Sequence, residues 1–272
     1  VRGLLPRGGT ILGSSRTNPI KIDGGVERIK ENMAKLGVDA LIAIGGEDTL
    51  GVATALTELG FPVIGVPKTI DNDLAGCDHT PGFASAARFV AQAFMGDDQD
   101  NRSLGGVKIN VIMGRHAGWL TAASRLARRH DGDGPHLIYL PEGVFDREEF
   151  CDRVEEMLLK HGRCLVAVSE GIHDAEGKVI ASGTEVDSHG NIQLSGTGAL
   201  GDYLSGLVKA KVSAAKRVRA DTFGYLQRSF FGVISEQDAL EAREVGRAAV
   251  RVATSGDCQH GSLASQRGTN DG

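Results

Sequence analysis

Short apolar segments rich in β-branched residues alternate along the chain with longer segments whose apolar residues recur at helical spacing. Strands are predicted at residues 39–44, 62–66, 107–113, 136–140, 163–169 and 217–225. Helices are predicted at residues 49–59, 83–95, 117–129, 147–160, 197–209 and 236–254. This alternation is typical of α/β folds in which helices connect parallel strands. We therefore expect parallel sheets, with residues 39–44 forming a buried strand.

The amino-acid composition and the net charge exclude some classes of function. The 272 residues include 41% apolar and 24% charged residues, as in ordinary globular proteins, and 38 glycines, which suit many tight strand-to-helix turns. The net charge of −5, without a basic block, argues against nucleic-acid binding. No apolar run approaches the roughly 18 residues of a membrane span. The four cysteines have neither metal-site nor disulfide spacing, so we expect a cytoplasmic protein with reduced thiols and no membrane partner.

A first polar motif, Gly45-Gly46-Glu47-Asp48-Thr49, follows a predicted strand and opens a predicted helix. Glycines there let the backbone approach a ligand, and the N-terminus of a helix attracts anions. The two carboxylates also fit simple helix capping. At a phosphate site, however, they imply a metal ion between carboxylate and phosphate.

A second polar motif, Pro67-Lys68-Thr69-Ile70-Asp71-Asn72-Asp73, follows the next predicted strand. Turn chemistry accounts for the asparagine and the aspartates, but not for the lysine and threonine before them. A carboxylate beside a lysine stays ionised near neutral pH and can accept a proton from a hydroxyl. The lysine can stabilise charge on a transferring phosphoryl group, so this motif indicates phosphoryl-transfer chemistry.

Three further predicted strands end in polar groups. These are Met113-Gly114-Arg115, where the arginine can hold an anion, Glu170, and Tyr225-Leu226-Gln227-Arg228. Taken singly, Glu170 and the Tyr225–Arg228 segment also fit ordinary surface residues. A GxGxxG sequence at residues 196–201, with Asp221 further on, resembles a dinucleotide fingerprint, but it follows a polar segment rather than a buried strand.

Together and in this order, the motifs resemble those of the 6-phosphofructokinases over nearly the whole chain. The resemblance also includes GGT at 8–10, GSSR at 13–16, PEG at 141–143 and SEG at 169–171. It implies the phosphofructokinase fold, with two Rossmann-like α/β/α lobes and mainly parallel sheets. Residues 1–82 with 227–257 would form a donor-binding lobe, and residues 83–226 with 258–272 a sugar-phosphate-binding lobe.

The resemblance also assigns roles to individual residues. Asp71, Lys68, Asp48 and Arg115 would form the catalytic group, with Asp71 as the base that deprotonates the 1-hydroxyl of fructose 6-phosphate. Sugar-phosphate contacts fall to Thr69, Ile70, Asp71, Met113, Gly114, Arg115, Glu170, Arg219, Tyr225, Leu226, Gln227 and Arg228. Donor contacts fall to Arg16, Gly46, Glu47, Asp48 and Lys68, and a Mg²⁺ ion to Glu47 and Asp73.

Two positions predict the phosphoryl donor. Members that use ATP resemble GGDGT and PGTIDND, with glycine where this chain has Asp48 and Lys68, whereas members that use pyrophosphate resemble this chain. A carboxylate at Asp48 would repel the α-phosphate of ATP, and Lys68 would attract the small, highly charged pyrophosphate. We expect reversible, glycolytic transfer from pyrophosphate to fructose 6-phosphate, which yields fructose 1,6-bisphosphate and phosphate.

The chain also departs from the family pattern. Glu47 replaces an aspartate of many members, Tyr225 a histidine of some, and Gly106 an interface arginine of many. The family's first strand and glycine-rich donor loop would lie upstream of Val1. We therefore expect a truncated chain, and the sequence does not settle whether it is active by itself. A homo-oligomer, either dimer or tetramer, is expected. The alternatives are an ATP-dependent 6-phosphofructokinase, an NAD or lipid kinase, and an inactive or regulatory paralogue or fragment.

Overall fold

The computed structural model describes residues 3–4, 9–15, 17–180, 194, 197–255 and 261–266, and the structural statements below concern these residues. Its helices are α1 (Gly25–Leu36), α2 (Glu47–Glu58), α3 (Phe83–Leu104), α4 (Trp119–Ala123), α5 (Arg147–His161), α6 (Ala199–Lys211) and α7 (Glu236–Thr254). Its strands are β1 (Leu41–Gly45), β2 (Val63–Pro67), β3 (Gly106–Ile112), β4 (Leu137–Tyr139), β5 (Arg163–Ser169), β6 (Val218–Thr222) and β7 (Gly261–Ser262). Short 3₁₀ helices occur at Pro19–Lys21, Ser124–Ala127 and Gly224–Arg228.

The described residues form two compact units, each built on a parallel sheet. The four-stranded unit contains the described residues of 1–9, 85–186 and 192–233, and its strand order is β4-β5-β3-β6. The three-stranded unit contains described residues of 10–84 and 234–266, and its strand order is β1-β2-β7. Every strand pair in both sheets is parallel. The predicted α/β class with mainly parallel sheets is therefore confirmed.

The unit boundaries differ from the predicted lobe boundaries near the N-terminus, where the described residues of 1–9 fall in the four-stranded unit, and in two C-terminal segments. Residues 227–233 belong to the four-stranded unit, where the Gln227 side chain accepts a hydrogen bond from the Met113 backbone just after β3. Residues 261–266 belong to the three-stranded unit, because β7 pairs with β2. The functions assigned to the two lobes remain predictions.

The core of the four-stranded unit lies along β3 and β5. Every residue of β5 is buried, as is typical of a parallel strand with both faces covered. Apolar residues of α5 and α6, including Val154 and Leu204, pack against these strands. The two strands that carry site motifs at their carboxyl ends are therefore held by close-packed surroundings.

A buried ion pair joins α3 to the beginning of β5. Asp98 accepts hydrogen bonds from the Arg163 guanidinium at 2.6 Å and from the Gly134 backbone N–H at 2.8 Å. Burial alone would raise the pKa of Asp98, but these hydrogen bonds and one from Arg102 outweigh it and lower that pKa. Asp98 therefore stays ionised inside the unit.

His136 is a second buried titratable group near β5. Its Nδ1 accepts the Leu165 backbone N–H at 2.8 Å, so a neutral ring carries its proton on Nε2. Burial, followed by the positive charge of Arg163, lowers the pKa of His136 to about 4. The ring is therefore neutral at physiological pH.

The prediction that residues 39–44 form a buried strand is wrong in part. β1 is present, but Ile42 and Ile44 are 39% and 56% exposed. Leu41 and Ala43 point to the other face, where they pack with α1 and α2. Among the described strands β1 lies at the edge of its sheet, and α7 packs on Ile64 and Val66 of the neighbouring β2 rather than on Ile42 and Ile44.

None of the described helices is both long and apolar enough to cross a membrane.

Candidate active site

The structure brings the two main motifs together at one edge of the three-stranded sheet. β1 and β2 are parallel neighbours with Gly45 opposite Pro67. The Lys68 N–H donates to the Gly45 carbonyl at 2.9 Å. A Cβ atom added to Gly46 would lie 3.6 Å from the Cβ of Thr69. The loops that carry Asp48 and Lys68 are thus adjacent at the carboxyl ends of the strands, where open α/β sheets bind ligands.

Helix α2 begins directly at the end of β1. A Cβ atom on Gly45 would lie 2.3 Å from the Thr49 hydroxyl, so the helix can start this close to the strand only beside a glycine. Glu47 and Asp48 occupy the first turn and are exposed. The same turn presents backbone N–H groups that attract phosphate, so it offers both an anion site and carboxylates for a cation.

Thr69 holds Asp71 in place beyond the end of β2. The Thr69 hydroxyl, which is buried, accepts the Asp71 N–H at 3.2 Å and donates to the Asp71 carboxylate at 3.4 Å. Asp71 itself is half-buried, whereas Lys68 and Asp73 are exposed. Asn72, next to Asp71, has a left-handed backbone with φ of 56°, which is uncommon for a residue other than glycine and is frequent at functional sites.

The four-stranded unit has its own polar edge, at the carboxyl ends of β3, β5 and β6. Ile112 is in register with Ser169, and Val111 with Thr222, so the three strands end side by side. The segments that follow them are Met113-Gly114-Arg115, Glu170 and Tyr225-Leu226-Gln227-Arg228. These predicted sugar-phosphate residues therefore share one edge of one sheet.

Backbone hydrogen bonds hold the segment that carries Arg115 beside the segment that carries Glu170. The Glu170 N–H donates to the Ile112 carbonyl at 2.9 Å, and the Gly171 N–H donates to the Gly114 carbonyl at 3.2 Å. A Cβ atom on Gly171 would lie 1.9 Å from the Arg115 carbonyl oxygen, so this approach requires glycine. Glu170 is buried and Arg115 is half-buried.

The Tyr225–Arg228 turn has one buried and three exposed side chains. Gln227 is buried, and its amide links the Met113 N–H at 3.3 Å to the Gly224 carbonyl at 2.9 Å. The Arg228 guanidinium lies 4.5 Å above the centre of the Tyr225 ring, a cation–π contact. Gln227 therefore joins the ends of β3 and β6, a role that the sequence did not indicate, while Tyr225, Leu226 and Arg228 remain exposed.

One predicted sugar-phosphate residue, Arg219, does not lie at these edges. Arg219 lies opposite Lys108, well before the strand ends, and donates to Asp100 at 2.9 Å. Arg16 lies outside the described residues. Asp221 of the dinucleotide-like pattern is paired with Lys108, so that interpretation gains no support.

The predicted Mg²⁺ ligands have suitable chemistry. Glu47 and Asp73 are exposed carboxylates that follow neighbouring strands, and carboxylate oxygens are the ligands that Mg²⁺ prefers. Within the described part of the chain, one group of three potential ligands is close enough to share a metal, namely His79, Asp238 and Glu241. The sequence did not single out this group, because 162 positions separate His79 from Glu241.

Glycines, cations and carboxylates at the carboxyl ends of parallel strands are typical of phosphate-binding sites in α/β proteins. The phosphofructokinase family model matches residues 1–253, and the chain belongs to this family. It is 57% identical over 220 residues to the pyrophosphate–fructose 6-phosphate 1-phosphotransferase of Rhodospirillum rubrum, with 77% of this chain and 54% of that protein covered. The protein of the same name from Streptomyces coelicolor is 41% identical, with 99% of this chain and 75% of that protein covered.

A solved structure agrees with these sequence comparisons. The pyrophosphate-dependent phosphofructokinase of Marinobacter aquaeolei matches with a TM-score of 0.78 and 31% identity, over 97% of this chain and 62% of that one. The chain therefore has the phosphofructokinase fold, and the predicted similarity to pyrophosphate-dependent members is confirmed. It spans about half the length of the R. rubrum protein.

Proposed function

We propose that this chain carries the phosphoryl-transfer site of a pyrophosphate-dependent 6-phosphofructokinase. The observation that carries the proposal is the adjacency of the Gly46–Asp48 turn and the Lys68–Asp71 loop at the ends of β1 and β2. The names of the R. rubrum and S. coelicolor relatives support the same substrates, pyrophosphate and fructose 6-phosphate.

In the proposed reaction, Asp71 accepts the proton of the sugar 1-hydroxyl, and Thr69 orients its carboxylate. The hydroxyl oxygen forms a bond to one phosphorus of pyrophosphate, the bridging P–O bond breaks, and phosphate leaves. Lys68 and Arg115 stabilise the charge on the transferring group. Pyrophosphate and the sugar 1-phosphate are close in transfer potential, so the reaction runs in both directions.

Asp48 and Lys68 set the donor in this proposal. Asp48 occupies the first turn of α2, where a carboxylate repels an additional nucleotide phosphate. Lys68 adds a compact positive charge in the neighbouring loop, which suits a small and highly charged donor. Both residues therefore favour pyrophosphate over ATP.

Glu47 and Asp73 would hold Mg²⁺, which when bound neutralises charge on pyrophosphate. Fructose 6-phosphate would bind to the segments after β3, β5 and β6, including Met113, Gly114, Arg115, Glu170 and Tyr225–Arg228. Arg219 is proposed to act in a homo-oligomer, and we place the reaction in cytoplasmic glycolysis.

The direct test replaces both donor-selecting residues in one protein. The unmodified chain is expected to turn over with pyrophosphate and not with ATP. Asp48→Gly combined with Lys68→Gly should gain ATP-dependent turnover and lose most pyrophosphate-dependent turnover. Asp131→Gly combined with Lys216→Gly, two exposed loop positions of the same residue types, is the matched control and should change neither activity. A folded double variant without ATP-dependent turnover would contradict our account of donor choice.

Calorimetry separates the enzyme from an inactive paralogue. Fructose 6-phosphate and pyrophosphate are titrated separately into the chain. An enzyme binds both, whereas a chain that binds only the sugar phosphate and shows no turnover is an inactive paralogue or a fragment.

A further inference from the structure

His79 lies buried between two carboxylates of α7, within the three-stranded unit. It belongs to the segment that connects β2 to α3, and it is 4% exposed. Its Nδ1 contacts the Glu241 carboxylate, and its Nε2 lies 3.6 Å from the Asp238 carboxylate. Asp238 and Glu241 are themselves 5% and 8% exposed. Buried carboxylates are costly unless they are paired, so this arrangement ties the connecting segment to the helix.

The same carboxylates make additional hydrogen bonds. The Gly82 backbone N–H donates to Asp238 at 3.0 Å, and the Gln237 amide donates to Glu241 at 2.6 Å. The beginning of α7 therefore contacts the connecting segment at two residues, His79 and Gly82.

The segment that connects β2 to α3 also makes hydrogen bonds to the loop that carries Asp71. Thr80, adjacent to His79, donates its hydroxyl to the Thr69 carbonyl at 2.8 Å. Its backbone N–H donates to the Asn72 side chain at 2.8 Å, and Gly82 forms a parallel bridge with Thr69. These bonds reach the chain on both sides of Asp71. One of them is accepted by the side chain of Asn72, whose backbone is left-handed.

We propose that His79, Asp238 and Glu241 form a clamp that positions Asp71 for proton transfer. The clamp residues act through Thr80 and Asn72 and are positioning residues. This inference rests on the proposed function, in which Asp71 is the base. A positioned base matters more for the chemical step than for substrate binding, so loss of the clamp should lower kcat more than it raises KM.

The same three side chains are also a plausible ligand set for a transition metal, since their ligand atoms lie within 4.8 Å of one another. The orientation of the ring argues against this. A metal binds one imidazole nitrogen and needs its other ligands on that side of the ring. Here one nitrogen faces Glu241 and the other faces Asp238. The geometry therefore favours a histidine that is hydrogen-bonded to Glu241, with its other nitrogen 3.6 Å from Asp238, over a set of metal ligands.

The kinetic test removes the clamp while leaving the proposed reacting groups in place. Glu241→Ala is expected to lower kcat for pyrophosphate-dependent turnover by about 10- to 100-fold, with the KM for fructose 6-phosphate changed less than about twofold. Glu241→Gln keeps an acceptor for His79 and should restore most of kcat. Glu244→Ala removes an exposed carboxylate from the same helix and is the control. Unchanged kcat in folded Glu241→Ala would overturn the proposal.

A second readout does not depend on turnover. Amide hydrogen exchange at Thr80 and Gly82 should accelerate in Glu241→Ala and in Asp238→Ala, and stay as in the unmodified chain in Glu244→Ala. If the unmodified chain shows no turnover, the proposed function fails, while exchange still tests the clamp. Unaltered exchange would show that the clamp does not hold this segment.

Two more measurements complete the test. If Glu241→Ala does not fold, Thr80→Val replaces it, because it removes only the hydroxyl bonds and keeps the size of the side chain. The same loss confined to kcat is expected, and wild-type kcat would refute positioning.

Zn²⁺ titrated into the unmodified chain should show no equimolar binding. Equimolar binding that is lost in His79→Ala would replace the clamp with a metal site.

Discussion

Replacement of Gly171 by alanine tests whether the close approach of the β3 and β5 ends sets the geometry of the sugar-phosphate edge. The new Cβ atom would lie 1.9 Å from the Arg115 carbonyl oxygen and 2.6 Å from its carbonyl carbon. Real Cβ contacts stay above 3.0 Å, so the backbone on one side must move by about 1 Å. Since the obstacle is backbone rather than a flexible side chain, Arg115 or Glu170 must shift with it.

A displacement of about 1 Å in a positioning group costs about 100-fold in rate, or about 2.7 kcal/mol of transition-state stabilisation. We therefore expect kcat/KM for fructose 6-phosphate to fall about 100-fold in Gly171→Ala. Initial rates at varied fructose 6-phosphate and saturating pyrophosphate measure this loss, and thermal unfolding shows whether the variant is folded.

Gly206→Ala is the matched control in the same unit. A Cβ atom there meets nothing within 4 Å, and the residue is exposed in the interior of α6. This variant should keep wild-type rates and gain about 0.5–1 kcal/mol of stability, because alanine is the better helix former. A folded Gly171→Ala with wild-type kcat/KM would show that the close approach of the two strand ends does not set the geometry of this edge.

Two further predictions concern stability. The folded-state pKa of His136, about 4, lies below its ordinary value of 6.5. The neutral ring therefore contributes about 2–3 kcal/mol to the free energy of unfolding above pH 6.5, and this stabilisation is lost as the pH falls towards 4. Urea unfolding at pH 7 and 4.5 should show a smaller loss for His136→Gln, and an equal loss would contradict the prediction. Arg163→Met should destabilise by about 3–5 kcal/mol because it strips a buried partner from Asp98. Arg153→Met breaks an exposed pair and should cost at most about 1 kcal/mol, and similar costs for both would contradict the prediction.

The strand-end motifs could be predicted from sequence because they depend on local pattern. In a parallel sheet the carboxyl ends of neighbouring strands meet at one edge, so motifs that follow strands come together without knowledge of long-range contacts. In the structure Gly46 lies beside Thr69, and the segments that carry Met113 and Glu170 follow neighbouring strands, as this rule requires.

Helix bounds were predicted less well where side chains compete for backbone groups. The helix expected at residues 117–129 is reduced to α4 and one 3₁₀ turn. The Asp133 carboxylate accepts the backbone N–H groups of Arg129 and His130, at 2.9 and 2.7 Å, which closes a loop instead of a further helical turn. Helix α1 was missed, although Val26, Ile29 and Met33 have helical spacing.

Long-range polar contacts lay beyond sequence reasoning. Gln227 bonds to Met113 across 114 positions, and His79 contacts Glu241 across 162. Neither pairing has a local signal, because each depends on which helix or turn packs beside which strand. The sequence predicted the residues that act in the loops. The structure adds the residues that hold those loops in place.

Phosphoryl transfer from pyrophosphate can be followed by ³¹P NMR of the chain incubated with Mg²⁺, fructose 6-phosphate and pyrophosphate. The pyrophosphate signal should give way to orthophosphate and a new phosphomonoester on the sugar, and fructose 1,6-bisphosphate with orthophosphate should regenerate pyrophosphate. A pyrophosphate signal that persists while ATP in a parallel sample is consumed would contradict the proposed function.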